Sequence, residues 1–203
     1  MIIDLSVHID DRTPAYPGDP RFEARVAGTL EHDGYEGHSI SMGTHTGTHI
    51  DAPSHMISEG ASLNMADISR FVGRGRMIDA TQGFSLDAVQ MADIQAGDIV
   101  LFDTGTSARF YDASYFERYP VMPSNIAEYL VNQQVGMVGL DTCSADNTPE
   151  FPIHTALLSH DIHIIENLTN LAVLAHHEFR VFALPLNLSL DGAPARVIAE
   201  IDV

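Results

Sequence analysis

The sequence predicts an α/β protein with a mixed sheet, on three observations. Short apolar runs of strand length recur at residues 98–102, 135–140, 162–165, 180–184 and 195–203. Helix-like amphipathic segments lie between them. No repeat period, low-complexity tract or long linker breaks the alternation, so a single domain over residues 1–203 is expected.

At the N-terminus Ile3, Leu5, Val7 and Ile9 alternate with polar residues, the period of a half-buried strand. Tyr16-Pro17-Gly18-Asp19-Pro20 reads as a turn, Pro17 fixing φ and Gly18 permitting the bend. Residues 45–51 read as extended chain, because Thr46, Thr48 and Ile50 are β-branched and Gly47 disfavours a helix. Gly73-Arg74-Gly75-Arg76 reads as a turn; it lacks the spacing and lysine of a phosphate-binding loop. Ser85 is a candidate N-cap for a helix carrying Leu86 and Val89. Ser124, after Pro123, opens another with Ile126, Tyr129 and Leu130 on one face. Pro152 precedes a short helical segment, and residues 161–166 form a buried strand ending on Glu166. Strand ends are where α/β folds keep functional residues.

Composition excludes several function classes. The chain carries 28 acidic residues against 10 basic ones, a net charge of −18, and all the basic residues are arginine. Without lysine there is no Schiff-base chemistry. An acidic surface repels nucleic acid and anionic membranes. The one cysteine, Cys143, excludes a disulfide framework and multi-cysteine metal clusters, and a lone free cysteine is more often buried than nucleophilic. No Gly-x-Ser-x-Gly elbow is present. The first residues lack the pattern of a signal peptide, and no apolar run approaches the ~20 residues of a membrane helix, so the cytoplasm is the expected compartment.

The chemistry concentrates in residues 43–55, GTHTGTHIDAPSH. His45, His49, Asp51 and His55 are all odd-numbered, and alternate residues of an extended chain share a face. Gly47 falls on that face, where a missing side chain leaves room for an ion or substrate. Pro53 ends the strand, so His55 is reached through a turn. Two imidazoles and a carboxylate on one face suit a first-row metal. The competing helical His-x-x-x-His motif is opposed by Thr-Gly-Thr between the histidines. A second cluster holds His154, His160, His163 and Glu166. Glu166 lies behind Ile162, Ile164 and Ile165, and a buried carboxylate needs a partner such as a metal. Spacing alone does not choose among the three histidines. His176-His177-Glu178 reads as a solvated loop, and the Asn-x-Thr/Ser matches at Asn167 and Asn187 carry no meaning without secretion.

His45-Thr-Gly-Thr-His49-Ile-Asp51-Ala-Pro53-Ser-His55 resembles the His-x-Gly-Thr-His-x-Asp-x-Pro-x-His signature of the metal-dependent cyclase family of hydrolases, which includes bacterial kynurenine formamidases and isatin hydrolases. YPGDP, IVLFDTGT, GLDTCSAD, the Pro-x-His154 to Glu166-Asn-Leu stretch and ALPLNL follow in family order, so the resemblance covers roughly residues 2 to 200. It implies a fold of the swivelling β/β/α type, assembled as a homodimer or larger homo-oligomer. It implies that His45, His49 and Asp51 bind metal, with Asp51 bridging two ions. It further implies His154 on the second ion, chosen over His160 and His163 by its step of twelve residues to Glu166, and Glu166 as a further ligand. His55 matches the family's acid/base histidine. The implied cofactor is zinc, two ions, with manganese as the alternative. The implied reaction is hydrolysis of a small-molecule amide at a carbon–nitrogen bond other than a peptide, with N-formylkynurenine or a related aryl formamide first. A cyclic amide such as isatin, or metal or ligand binding without turnover, is the alternative. Tyr16 stands where kynurenine formamidases usually carry a tryptophan that stacks on the substrate, and tyrosine also stacks.

Overall fold

The computed structural model describes residues 1–201. Its strands are β1 (Ile2–Asp4), β2 (Glu23–Gly28), β3 (Gly37–Ser41), β4 (His49–Asp51), β5 (Val72–Asp79), β6 (Ile99–Asp103), β7 (Met137–Leu140), β8 (His163–Glu166), β9 (Phe179–Pro185) and β10 (Gly192–Ile201). Its α-helices are α1 (Leu30–Asp33), α2 (Leu86–Met91), α3 (Ser124–Asn132) and α4 (Pro152–Leu158). The α/β class with a mixed sheet is what the structure shows. Strands β5 to β8 run parallel, and the rest join antiparallel.

The sheet closes on itself. In the order β10-β4-β8-β7-β6-β5-β9, the last strand pairs back onto β10 and completes a barrel of seven strands, with β1 added beside β10. β10 makes the closure by changing partners along its length. Gly192 to Pro194 pair with β4, and Ala195 to Ile201 pair with β9.

Alternation along each strand sorts the apolar residues into two layers. Ile99, Leu101, Met137, Ile165, Val181 and Val197 fill the barrel interior. Val100, Phe102, Val138 and Ile164 point outward beneath Val89 of α2, Ile126 and Leu130 of α3, and Leu157 of α4. Strands covered on both faces read as continuous apolar runs, which is why β6, β7 and β8 are legible. Each fully buried side chain of this kind stabilises the fold by about 1.5–3 kcal/mol relative to exposure.

Several sequence expectations change. The N-terminal strand stops at Asp4, because side chains replace the ladder: Val197 N–H donates to Ser6 Oγ, and Val7 N–H donates to Thr48 Oγ1. Residues 73–76 are not a turn but the middle of β5, where glycine is required because a Cβ on Gly75 would run into the Phe179 ring. Ser85 caps α2 by accepting from Ala88 N–H, whereas α3 starts on Ser124 behind Pro123 with no side-chain cap. The terminal strand covers 192–201; Asp202 and Val203, included in the expected strand, lie outside the described residues. The β2–β3 ribbon has no apolar run to announce it, and it stands exposed on both faces.

Candidate functional site

The site lies on the outer face of β4 and β8, under α4. Ile50 points into the barrel, so its neighbours His49 and Asp51 point out. In the antiparallel register His49 faces Glu166, which shares the outward parity of Ile164. α4 then lays His154 over the pair. Its first turn is anchored by Asp146, whose carboxylate accepts from the N–H groups of Ile153 (3.0 Å) and His154 (2.9 Å).

Only His49 and Asp51 share the extended face expected for 45–51. The backbone turns through residues 44–48, and Gly47 has φ +63°. Gly47 lines the cavity beside the cluster, but Ile9 takes the space of its missing side chain: a Cβ there would meet Ile9 Cγ1 at 2.8 Å, so glycine serves the turn and the packing of Ile9. That turn carries His45 back over the strand, and a single 3-10 turn over Pro53–His55 brings in His55, as Pro53 suggests. The imidazoles of His45 and His55 lie with centroids 4.1 Å apart and planes tilted by 39°.

The donor atoms form three groups: two share Asp51, with His45 and His49 in one and His154 and Glu166 in the other, and the third, less buried, joins His45, His55 and Asp191. Each histidine has one ring nitrogen held from behind, leaving the other for the cluster. His49 Nδ1 donates to Gly47 O (2.9 Å), His154 Nδ1 to Asp146 (2.8 Å), and His45 Nε2 to Asp191 (2.9 Å). The inward nitrogens are His45 Nδ1, 2.8 Å from Asp51, His154 Nε2, 3.1 Å from Glu166, and His49 Nε2. Two of the inward atoms, His49 Nε2 and Asp51 Oδ2, are buried without a hydrogen-bond partner. Orphaned donors in a set of imidazoles and carboxylates fit divalent cations, and histidine ligands backed by carboxylates or carbonyls are the usual outer arrangement of such sites.

The electrostatics agree with that fit. Burial alone would discharge His49, yet the Asp51 and Glu166 carboxylates push its pKa up to about 10. His154 is likewise held well above its ordinary range by Asp146, Asp51 and Glu166 against its burial. Asp51 is held well below the carboxylate range by the three rings around it, again against burial. The cavity therefore concentrates negative charge that calls for a cation, proton or metal, and metal binding would displace protons. His55 is different: burial, only partly offset by Asp51, lowers its pKa.

Beside the cluster opens a cavity of about 480 Å³ lined by Tyr16, Phe116, Phe151 and Met56. Tyr16 stands edge-on to Phe116, centroids 5.7 Å apart. Phe151, in the left-handed region at φ 44°, stands edge-on to His154. His160 is exposed and bonds Ala156 O, and His163 points into the barrel against Phe71, so neither joins the cluster. Cys143 lines the cavity, but burial and nearby Glu166 push its thiol up to about 12, which leaves no thiolate to attack. His176, His177 and Glu178 are exposed, Glu178 pairing with Arg76. Three further residues are not singled out by the sequence reading: Asp191, which has no sequence signal, Asp146, which closes the GLDTCSAD landmark, and Asn167, which follows Glu166 and whose Nδ2 donates to Gly47 O (2.9 Å) while its Oδ1 accepts from the Tyr115 hydroxyl (2.7 Å).

Comparison with known proteins agrees over the whole chain. The family model described as "Putative cyclase" matches residues 3–147. Kynurenine formamidase from Bacillus cereus is 30% identical over 200 residues, covering 97% of this chain and 95% of that protein. The solved structure of a potential metal-dependent hydrolase with cyclase activity is 33% identical, with TM-score 0.79 over 98% of this chain and 96% of that one. Isatin hydrolase A from Labrenzia aggregata, bound to benzyl benzoate, is 26% identical, with TM-score 0.87 over 98% of this chain and 93% of that one.

Proposed function

From the premise that this chain belongs to the cyclase family, we propose that it is an aryl formamidase acting on N-formylkynurenine or a closely related aryl formamide. It is a metal-dependent hydrolase of carbon–nitrogen bonds other than peptide bonds. The observation that carries the finer reading is the pair of donor groups sharing Asp51, with two orphaned buried atoms, beside an aromatic cavity.

In this reading His45, His49 and Asp51 hold one ion and Asp51, His154 and Glu166 the other. The ions, zinc first and manganese second, supply an acidified water and a polarised carbonyl when bound. His55 takes the proton from the attacking water and delivers it to the leaving nitrogen, a role worth typically 10²–10⁴-fold. Asp51 and Glu166 offset cation charge and hold the donor set together. Tyr16 and Phe116 take the aryl ring, an aromatic contact worth about 0.5–1.5 kcal/mol beyond the area it buries. The β2–β3 ribbon supports a homodimer: it exposes Val26, Tyr35 and Ile40, and a ribbon bare on both faces is marginal alone in water. Among the described residues no helix is long and apolar enough to cross a membrane, and we place the protein in the cytoplasm.

The test is N-formylkynurenine hydrolysis by chelated protein and by the same protein reloaded with zinc or manganese. Activity lost with the metal and restored on reloading supports the reading. Full metal occupancy without turnover moves the substrate to the second reading, a cyclic amide such as isatin. That alternative is favoured by the TM-score of 0.87 to an isatin hydrolase.

A further inference from the structure

We infer that Asp191 is a positioning residue of this site, one carboxylate oxygen fixing the rings of His45 and His55 together. The inference rests on the reading that His45 holds metal and His55 moves the proton.

Asp191 Oδ2 lies 2.9 Å from His45 Nε2 and 3.2 Å from His55 Nδ1, 146 and 136 residues away in sequence. Two N–H groups on one acceptor have a definite consequence for each ring. With its proton on Nε2 facing Asp191, His45 would offer Nδ1, which lies 2.8 Å from Asp51, to an ion shared with that carboxylate. With its proton on Nδ1, His55 is left with Nε2 as the nitrogen that can accept and return a proton. A single oxygen thus orients a ligand ring and the acid/base ring together. The rings lie with centroids 4.1 Å apart and planes tilted by 39°, and neither can turn without breaking its bond to Asp191.

The backbone around Asp191 is built to hold this arrangement. Its carbonyl accepts from Ala52 N–H at 2.9 Å, and the next residue, Gly192, pairs with Asp51 across β10 and β4. The carboxylate is therefore indexed to the strand that carries His49 and Asp51. Gly192 clears the space: a Cβ there would sit 2.9 Å from His45 Cε1 and 2.9 Å from Ile50 O. Asp191 supplies the acceptor, and Gly192 lets the ring lie down to reach it.

The experiment compares wild type with Asp191→Asn, Asp191→Ser, His55→Ala and the double variant Asp191→Asn/His55→Ala, each checked by thermal unfolding. Long-range proton–nitrogen NMR of metal-free protein reads the tautomers directly. Wild type should show His55 protonated on Nδ1, and both Asp191 variants should lose that preference. Zinc affinity should fall about 10–100-fold in Asp191→Asn, the usual effect of removing a group behind a histidine ligand. It should stay at the wild-type value in His55→Ala. At saturating zinc, Asp191→Asn should lower kcat at least tenfold with KM within twofold, and should cost nothing further in the His55→Ala background. Unchanged tautomers with unchanged zinc affinity, or a full additional loss in the double variant, would overturn the inference. So would a zinc stoichiometry that drops by one in Asp191→Asn, because Asp191 would then be a ligand. If His55→Ala alone keeps wild-type kcat, the acid/base reading fails, while the tautomer and affinity results still decide Asp191. If Asp191→Asn does not fold, Asp191→Ser carries the same readouts.

Discussion

Strand β8 places two ionisable side chains three residues apart in opposite surroundings. His163 points into the barrel, buried, with neither ring nitrogen hydrogen-bonded and the Phe71 ring against it. Glu166 points out, equally buried, into a nest of two histidines, His49 and His154, and a second carboxylate, Asp51. Burial pulls against charge in both places, and the outcome differs because of what stands nearby. Inside, nothing compensates and the pKa of His163 is lowered. Outside, His49, equally buried on the neighbouring strand, is driven up to about 10 by carboxylates. The same desolvation yields a neutral ring on one face of the sheet and a charge-concentrating cluster on the other. The two buried histidines, His163 and His49, thus differ in kind, and only His49 stands among groups organised to hold a cation.

The largest test of that contrast is Asp51→Asn. A neutral amide at the shared position removes the charge on which both donor groups depend, so metal titration should show loss of binding and the chelate-reload assay no recovery. Retained stoichiometric binding would break the outer half of the comparison. Next comes Ile165→Ala, which opens the barrel interior beside Glu166 without touching a donor. Chemical denaturation should register a cost of about 2–5 kcal/mol, with zinc affinity within a fewfold of wild type. A large affinity loss would mean the two faces are not separable. The smallest effect is expected for His163→Leu, which replaces two unpaired nitrogens with apolar surface and should gain on the order of 1 kcal/mol at neutral pH. Its pH dependence is more telling than its size. A histidine whose folded pKa lies below the ordinary 6.5 binds its proton more readily when unfolded. Its contribution is therefore complete above pH 6.5 and is lost as the pH falls toward the folded value. Wild type should lose stability on acidification through that range, and His163→Leu should lose less; parallel curves would remove His163 from the account.

How legible all this is in the sequence depends on how local the cause is. β6, β7 and β8 are readable because burial on both faces leaves runs of apolar residues. His49 and Asp51 are readable because two positions on one strand share a face. His45 is placed in the site by a different route from the one its odd number suggests: a turn at Gly47 returns it. His154 cannot be separated from His160 and His163 by spacing; the resemblance singles it out, and only packing shows one exposed and one turned into the barrel. Asp146 and Asp191 are lone acids in a chain rich in acids, and their meaning comes from partners 8 and 136–146 residues away. Closure of the barrel is equally silent, since the strand-swapping of β10 leaves no mark on its composition.

That strand has a consequence for how the protein comes apart. β10 stitches β4 to β9 with one continuous run of backbone, and Asp191 is the residue just before that run begins. Unzipping the seam would strip Asp51 of its neighbour and His45 of its carboxylate in the same event. Amide hydrogens at the seam and at β4 should therefore exchange together, as one cooperative unit. On that account the centre should lose its geometry only together with the seam.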